Sequence, residues 1–224
     1  MDAVYDSHPH DGERPMSNYS FSVRIRRWAK YLINTIDERL HGLDFSMVYV
    51  GDIQRSQAEI HGYSMTDAQD MKRILQAIPV KASEAAFLDI GCGKGMCIKC
   101  AAELGYRKVA GLDLDEHLLE IARRNMRKLQ LEVDCIAADA VEFDRYQDYD
   151  VFYFYNPFGA ATFQQVINRL VESQNQRNRD IWAAYYHPVF GQLFEEAGFQ
   201  LKKELRDNTR DTVTKFYLYQ KNNL

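Results

Sequence analysis

The stretch FLDIGCGKG (87–95) decides the fold of this 224-residue chain, because an apolar run leads directly into three alternating glycines. Gly91, Gly93 and Gly95 let the backbone turn tightly and approach a ligand closely. The residues that follow, around Met96–Leu104, are predicted to form a helix. The stretch therefore predicts a strand, a ligand-facing loop and a helix in direct succession.

The spacing of the glycines separates this loop from two common phosphate-binding loops. A dinucleotide fingerprint reads GxGxxG, but Met96 stands directly after Gly95, so the third glycine comes one residue early. The loop of the nucleoside triphosphatases needs GK followed by Ser or Thr, which is absent here. Asp89 lies two residues before the loop, where it would repel pyrophosphate and suits a ligand with ammonium and sulfonium charges.

Downstream of Pro79, short apolar runs alternate with helical patterns. The predicted strands are AAFLDI (85–90), KVAGLDL (108–114), VDCIAAD (133–139), DVFYFYN (150–156), DIWAAYY (180–186), FQLKKEL (199–205) and TVTKFYLYQ (212–220), and the helices between them are 118–129, 163–171 and 191–197. This order predicts an α/β fold with a doubly wound, mostly parallel seven-stranded sheet that ends in an antiparallel hairpin. Such sheets bind ligands at the carboxyl ends of their strands.

The sequence Asp89-x-Gly91-x-Gly93-x-Gly95 resembles the first motif of the class I S-adenosylmethionine-dependent methyltransferases. The resemblance covers about residues 80–220. It implies a Rossmann-like methyltransferase fold and S-adenosyl-L-methionine as the cofactor. Methyl transfer from this cofactor requires no metal and no covalent intermediate.

The next two strands end in residues that match further motifs of this family. GLDLD (111–115) places Asp113, followed by Leu114, at the position that holds the ribose hydroxyls. Asp139, followed by Ala140, matches the acidic residue that meets the adenine amino group. The resemblance therefore implies that these four residues bind the cofactor together with Asp89 and the glycine loop.

The fourth predicted strand ends in FYNPF (154–158), which is similar to the [DN]PP[YF] motif of amino-methyltransferases but has one proline. The Asn156 side-chain carbonyl and the Pro157 backbone carbonyl can accept hydrogen bonds from an amine, while Phe158 walls the acceptor. His187 ends the fifth predicted strand and is a candidate proton acceptor. Alternatively, Asn156 and Pro157 only terminate their strand, and His187 is a structural hydrogen-bonding residue.

These acceptor-side residues favour methyl transfer to a nitrogen of a small molecule or protein side chain. An oxygen or carbon acceptor is the alternative within enzymes. A catalytically silent, cofactor-binding partner subunit is the alternative outside them. Met96 and Asp89 disfavour a nicotinamide oxidoreductase.

Three segments are expected along the chain: a flexible tail (1–17), an N-terminal helical extension or lid (18–79) and the methyltransferase domain (80–224). In the extension, a helix is predicted from Ser20 to about Leu40, with Gly42 as its stop. Its apolar residues form one stripe, namely Ile25, Trp28, Leu32, Ile36 and Leu40. The first turns of this helix are rich in arginine and are expected to contact an acidic partner or a membrane surface. The alternative is that the apolar stripe docks on the main domain. GYSMT (62–66) is similar to the segment that covers the cofactor in many such enzymes, so Tyr63 is expected to stack there.

The composition excludes several classes of function. Lys and Arg number 28 and Asp and Glu 32, so the net charge is −4, and general nucleic-acid binding is not expected. No run approaches the ~18 apolar residues of a membrane span. The first twenty residues lack the hydrophobic stretch of a signal peptide, so a cytoplasmic protein is expected.

The four cysteines are Cys92, Cys97, Cys100 and Cys135, and three of them are clustered in the glycine loop and the predicted helix after it. Secreted scaffolds spread their cysteines for cross-linking, so reduced thiols are expected here. The pair Cys97 and Cys100 has no second close pair to complete a tetrahedral set. No metal site is therefore expected.

Overall fold

The computed structural model describes residues 33, 35, 36, 38–45, 68–207 and 212–220. The expected tail (1–17) and Tyr63 lie outside the described residues. So do three of the five residues of the predicted apolar stripe, namely Ile25, Trp28 and Leu32.

Seven strands form one sheet, with the bounds β1 Ala86–Ile90, β2 Lys108–Asp113, β3 Asp134–Ala137, β4 Val151–Tyr155, β5 Ile181–Tyr186, β6 Gln200–Asp207 and β7 Thr212–Tyr219. Their order is β3-β2-β1-β4-β5-β7-β6. The first five strands are parallel, and β7 lies antiparallel between β5 and β6. The predicted doubly wound, mostly parallel sheet with its C-terminal hairpin is confirmed.

Within residues 68–207, five α-helices accompany the sheet, with the bounds α1 Ala68–Gln76, α2 Met96–Glu103, α3 Glu116–Leu129, α4 Ala160–Gln176 and α5 Gln192–Glu196. Residues 33, 35, 36 and 38–40 belong to an N-terminal helix. The observed α4 ends five residues beyond the predicted end at Val171. Its last turn is polar in sequence, yet Ser173 and Gln174 are buried there. The Gln174 amide donates to the Arg179 and Gln220 carbonyls, so hydrogen bonds replace apolar packing.

The helices cover both faces of the sheet. Phe87 of β1 packs into one core with residues of α1, α2 and α3, and its neighbour Leu88 packs into a second core with residues of α4 and α5. Successive side chains of a strand point to opposite faces. All five residues of β1 are therefore buried, which explains why its sequence is a continuous apolar run.

The order in which strands are added to the sheet reverses at β1, which pairs in parallel with β2 on one side and with β4 on the other. A crevice opens beyond the carboxyl ends of the strands at such a switch point. The glycine loop leaves β1 there, and Asn156 follows β4 beside it. The topology therefore brings together the two motifs that the sequence singled out.

The described residues from Glu38 to Phe45 join the N-terminal segment to this domain. The helix ends near Leu40, and Gly42 has a φ of +66°, as expected for a helix stop. Ile36 and Leu40 are 57% and 79% exposed, so this part of the apolar stripe does not dock on the main domain. Phe45 docks instead and is 1% exposed in the first core.

Within the described residues, no helix combines the length and the apolar character that crossing a membrane requires.

Candidate functional site

The glycine loop is held against β2 and β4. Its three glycines have φ angles of +84°, +51° and +89°, which other residues rarely adopt. The N–H groups of Gly91 and Cys92 donate to the Leu112 carbonyl across 2.8 and 3.0 Å. A Cβ on Gly91 would lie 3.0 Å from the Cβ of Pro157, so the loop and the end of β4 are in direct contact.

Asp113, the last residue of β2, uses both carboxylate oxygens to hold local backbone. Its Oδ2 accepts the Gly93 N–H across 2.8 Å, and its Oδ1 accepts the Asp115 N–H across 2.9 Å. Burial raises its pKa, and these two N–H groups oppose that rise. Each oxygen retains a second lone pair, so the carboxylate can also accept two hydroxyl groups of a ligand.

Asp89 lies beneath the loop and is 3% exposed. Burial and, second, the nearby Asp113 raise its pKa to about 8, while a hydrogen bond with the Cys97 thiol acts in the opposite direction. The Asp89 carboxyl is therefore largely protonated at neutral pH as long as no cation lies beside it. The sequence predicts instead an ionised Asp89 carboxylate that faces the ligand.

The residues predicted to meet the adenosine lie at the ends of β2 and β3. Leu114 is 58% exposed, so its apolar side chain is available to pack on a flat ligand. The Asp139 carboxylate is exposed and accepts the Val141 N–H across 2.8 Å, whereas Ala140 is buried. The Ala138 N–H donates to the Asp113 carbonyl, which joins the two strand ends.

A polar cluster that the sequence reasoning missed anchors the N-terminal segment to the glycine loop. The buried Lys94 ammonium lies 2.6 Å from the Asp44 carboxylate. The side-chain amide of Asn125 accepts the Asp44 N–H and donates to the carbonyls of Asp44 and Lys94. An asparagine within the apolar stripe of α3 was the available signal, because a buried amide needs hydrogen-bond partners.

Two residues with positive φ lie side by side at the ends of β4 and β5. Tyr155 pairs with Tyr186 in the parallel register, so the next residues, Asn156 and His187, are also neighbours. Their φ angles are +42° and +54°. Such strain in non-glycine residues is concentrated at functional sites.

The side chains at this edge are held by partners from other elements. The Asn156 Oδ1 accepts a hydrogen bond from the Tyr185 hydroxyl across 2.9 Å. Phe158 packs at the edge of the second core, with its ring centroid 6.5 Å from that of Phe163. The His187 Nδ1 lies 3.1 Å from the Thr212 Oγ1 on β7.

The cysteines are free thiols. Cys92, Cys97 and Cys100 are buried, and burial, followed by the nearby Asp89, raises the pKa of Cys92 and Cys97. A raised pKa leaves little reactive thiolate. In the part of the chain that the structure describes, no group of three potential ligands could hold a metal ion.

Residues 87–174 match a protein family described as "Methyltransferase domain". The ribosomal protein L11 methyltransferase of Thermotoga maritima is 41% identical over 46 residues, which are 20% of this chain and 17% of that protein. The chain thus matches well under two thirds of the length of this curated relative.

Solved structures share the fold. A SAM-dependent methyltransferase from Aquifex aeolicus superposes with a TM-score of 0.55 at 15% identity, over 66% of this chain and 89% of that one. The Pyrococcus abyssi tRNA (uracil-54, C5)-methyltransferase, solved with S-adenosyl-L-homocysteine, gives 0.55 at 18% identity, over 78% and 48% of the two chains. The Rossmann-like methyltransferase fold that the resemblance of the glycine motif implies is confirmed.

Proposed function

We propose that this chain, whose residues 87–174 match a methyltransferase domain family, belongs to the class I S-adenosylmethionine-dependent methyltransferases and transfers a methyl group from S-adenosylmethionine to a nitrogen of a small molecule or protein side chain. The contact between Gly91 and Pro157 carries the proposal, because it joins the cofactor loop to the acceptor motif. Methyl transfer needs the nucleophile held at ~3–3.5 Å from the methyl carbon with water excluded. Two motifs in contact at one switch point suit that task.

The cofactor half of the proposed site consists of backbone N–H groups and carboxylates. When bound, S-adenosylmethionine supplies an electrophilic methyl group on a positively charged sulfur. Asp113 accepts the ribose hydroxyls with its remaining lone pairs, and Leu114 packs on the adenine. Asp139 and Ala140 border the adenine, and the loop of Gly91, Gly93 and Gly95 lets the backbone approach the cofactor.

The residues of the chain fit the charge of this cofactor. Asp89 is buried beneath the loop, and its raised pKa leaves it neutral in the free protein. A cation nearby favours the ionised carboxylate, so binding releases the proton and creates an attractive pair. A negatively charged pyrophosphate would gain nothing from this arrangement.

The acceptor half consists of Asn156, Pro157, Phe158 and His187. Asn156 and the Pro157 carbonyl hydrogen-bond the acceptor, and Phe158 forms the wall that excludes water. His187 takes the proton that the nitrogen loses, from a position one strand away from Asn156. Methylation of ribosomal protein L11, after which the Thermotoga maritima relative is named, supports a protein side chain among the candidates.

The N-terminal extension (18–79) forms part of the acceptor pocket in this proposal, with the methyltransferase domain at 80–224 and a tail at 1–17. The contact of Asp44 with Lys94 supports this, because it places the extension against the glycine loop. Tyr63 covers the cofactor from the same extension. The protein acts in the cytoplasm.

Ligand-induced stabilisation tests the cofactor half. S-adenosylhomocysteine at ~100 times its dissociation constant should raise the free energy of unfolding by ~2.7 kcal/mol, a shift of several degrees in thermal unfolding. Asp113→Ala should abolish this shift. Asp115→Ala removes the same charge two residues away and should keep it, because the Asp115 carboxylate caps α3. A response to NADH in place of the adenosyl ligand would contradict the proposal.

Product chemistry tests the nitrogen acceptor. Cell extract incubated with the enzyme and methyl-labelled S-adenosylmethionine should yield label that survives mild base, because N-methyl groups are stable and methyl esters are not. Asn156→Ala should lose at least ~90% of the incorporation while keeping the thermal shift, since one well-placed polar group is worth ~10² in rate. Base-labile label would point to an oxygen acceptor.

A further inference from the structure

The side-chain amide of Asn156 can offer either an oxygen or N–H groups to the acceptor, and its surroundings decide which. The Tyr185 hydroxyl lies 2.9 Å from the Asn156 Oδ1. Tyr185 is 0% exposed and Asn156 8% exposed, so this hydrogen bond is shielded from water. An exchange of the two amide atoms would change the chemistry that the site presents.

The direction of this hydrogen bond follows from the other groups around the Tyr185 oxygen. The Phe190 N–H lies 3.5 Å from that oxygen. Burial raises the pKa of Tyr185, and the Phe190 N–H opposes the rise by donating to the phenol oxygen. Because the Phe190 N–H is a donor, the phenol hydrogen is directed to Asn156, which must meet it with its oxygen.

The backbone also restrains this side chain. Asn156 has a φ of +42° and is followed by Pro157, which is packed against Gly91. No described residue receives a hydrogen bond from the Asn156 Nδ2. Two N–H donors of a nearly buried amide thus remain unused at the end of β4, where the acceptor motif meets the glycine loop.

We propose that Asn156 offers its N–H groups, rather than its carbonyl oxygen, to the methyl acceptor, and that Tyr185 is the positioning residue that holds it so. This inference rests on the proposed function. The acceptor then carries a lone-pair group, such as a carbonyl or carboxylate oxygen, beside the methylated nitrogen. A protonated amine is disfavoured, because the positive ends of the N–H dipoles face it.

The test uses sinefungin, an S-adenosylmethionine analogue that carries an amino group in place of the sulfonium methyl. Its protonated amine reports which end of the Asn156 amide faces the methyl position. Calorimetry gives the ratio of its affinity to that of S-adenosylhomocysteine, which cancels general changes in cofactor binding. In the native protein we expect sinefungin to bind no more tightly than S-adenosylhomocysteine.

Tyr185→Phe frees the amide to rotate, so its oxygen can meet the amine. The ratio should then shift toward sinefungin by about tenfold, the effect of one hydrogen bond to a charged group. The double variant Tyr185→Phe with Asn156→Ala should lose the shift. Tyr153→Phe removes another buried hydroxyl, which has no partner among the described residues, and should leave the ratio unchanged.

Three results would overturn the inference. A native protein that prefers sinefungin at least tenfold, with the preference lost in Asn156→Ala, would show the oxygen facing the acceptor and leave the proposed function intact. An identical ratio in the native protein, Tyr185→Phe and Asn156→Ala would remove Asn156 from the methyl position. Binding of neither ligand would overturn the inference and the proposed cofactor together.

Discussion

Positive φ angles occur on both sides of the crevice, but on different kinds of residue. At the cofactor edge, formed by the ends of β1 and β2, they fall on glycines such as Gly91 and Gly95. At the acceptor edge, formed by the ends of β4 and β5, they fall on Asn156 and His187. Glycine adopts this conformation without strain, whereas other residues store about 1–3 kcal/mol in it.

The contacts differ in the same way. At the cofactor edge, the Asp113 carboxylate accepts two backbone N–H groups, one from Asp115 two residues later and one from Gly93 twenty residues earlier. At the acceptor edge, side chains from later elements hold the strained residues, as Tyr185 holds Asn156 and Thr212 meets His187. Tertiary contacts thus hold backbone N–H groups at the cofactor edge and side chains at the acceptor edge.

Adding a side chain at Gly91 should have the largest effect on stability. Gly91→Ala combines an unfavourable φ of +84° with a contact of 3.0 Å to Pro157, and we expect a loss of ~3 kcal/mol in the free energy of unfolding. Gly105→Ala has a similar φ but no atom within 4 Å, so it should lose ~1 kcal/mol and keep cofactor affinity. Urea unfolding and calorimetry measure both. Equal losses would show that the contact with the acceptor edge is unimportant.

Asp89 should make the free energy of unfolding of the ligand-free protein fall as the pH rises, the opposite of what a carboxylate with a lowered pKa does. Its folded pKa of about 8 lies above the unfolded value near 3.8, so between these values only the folded state keeps the proton. This group's contribution to stability is therefore fully present at low pH and is lost as pH rises toward 8, by at most ~1.4 kcal/mol per pH unit.

The comparison with Asp89→Asn isolates this group, because asparagine does not titrate. Native stability relative to the variant should fall by up to ~2.7 kcal/mol between pH 5 and 7, measured by urea unfolding at each pH. A constant difference across this range would mean that Asp89 is ionised beneath the loop.

The ion pair of Lys94 and Asp44 should respond asymmetrically to mutation. The Lys94 ammonium is 5% exposed and the Asp44 carboxylate 38% exposed. Asp44→Asn removes the negative charge that lies beside the buried ammonium and should lose ~2 kcal/mol, less than for a fully buried pair. Lys94→Met replaces the charged chain by an apolar one of similar length and should lose under ~1 kcal/mol.

Measuring cofactor affinity tests whether the ion pair of Lys94 and Asp44 also shapes the glycine loop, because the pair joins the N-terminal segment to that loop. Both variants should weaken S-adenosylhomocysteine binding by a similar factor, although their stabilities differ. If affinity instead follows stability, the pair contributes to folding and not to the shape of the loop. Thermal unfolding and calorimetry on the same samples distinguish the two.

Glycine at the acceptor edge should have the smallest effect on stability. His187→Gly relieves the strain at φ +54° but adds freedom to the unfolded chain and removes the contact with Thr212. These effects nearly cancel, so stability should stay within ~0.5 kcal/mol of the native value while methyl incorporation falls. A loss above ~1 kcal/mol would assign His187 a structural role.

Much of the fold was readable from the sequence, because its signals are local. Continuous apolar runs predicted the buried parallel strands, and the glycine spacing predicted the loop after β1. The prediction ended α4 too early, because Ser173 and Gln174 are polar residues that are nevertheless buried, with their side chains hydrogen-bonded to the Leu170 and Gln220 carbonyls. The alternative in which the apolar stripe packs on the main domain is also wrong for Ile36 and Leu40, because both side chains are exposed.

The sequence by itself determined the order of strands and helices, the glycine loop and the position of Asp113, since each depends on neighbouring residues or on regular spacing. Tertiary structure alone decided the proton on Asp89, the anchoring of Asp44 by Asn125 and the orientation of the Asn156 amide. Burial sets the first, and the other two join residues 81 and 29 positions apart. No local pattern encodes such pairings, because they exist only once the strands are aligned.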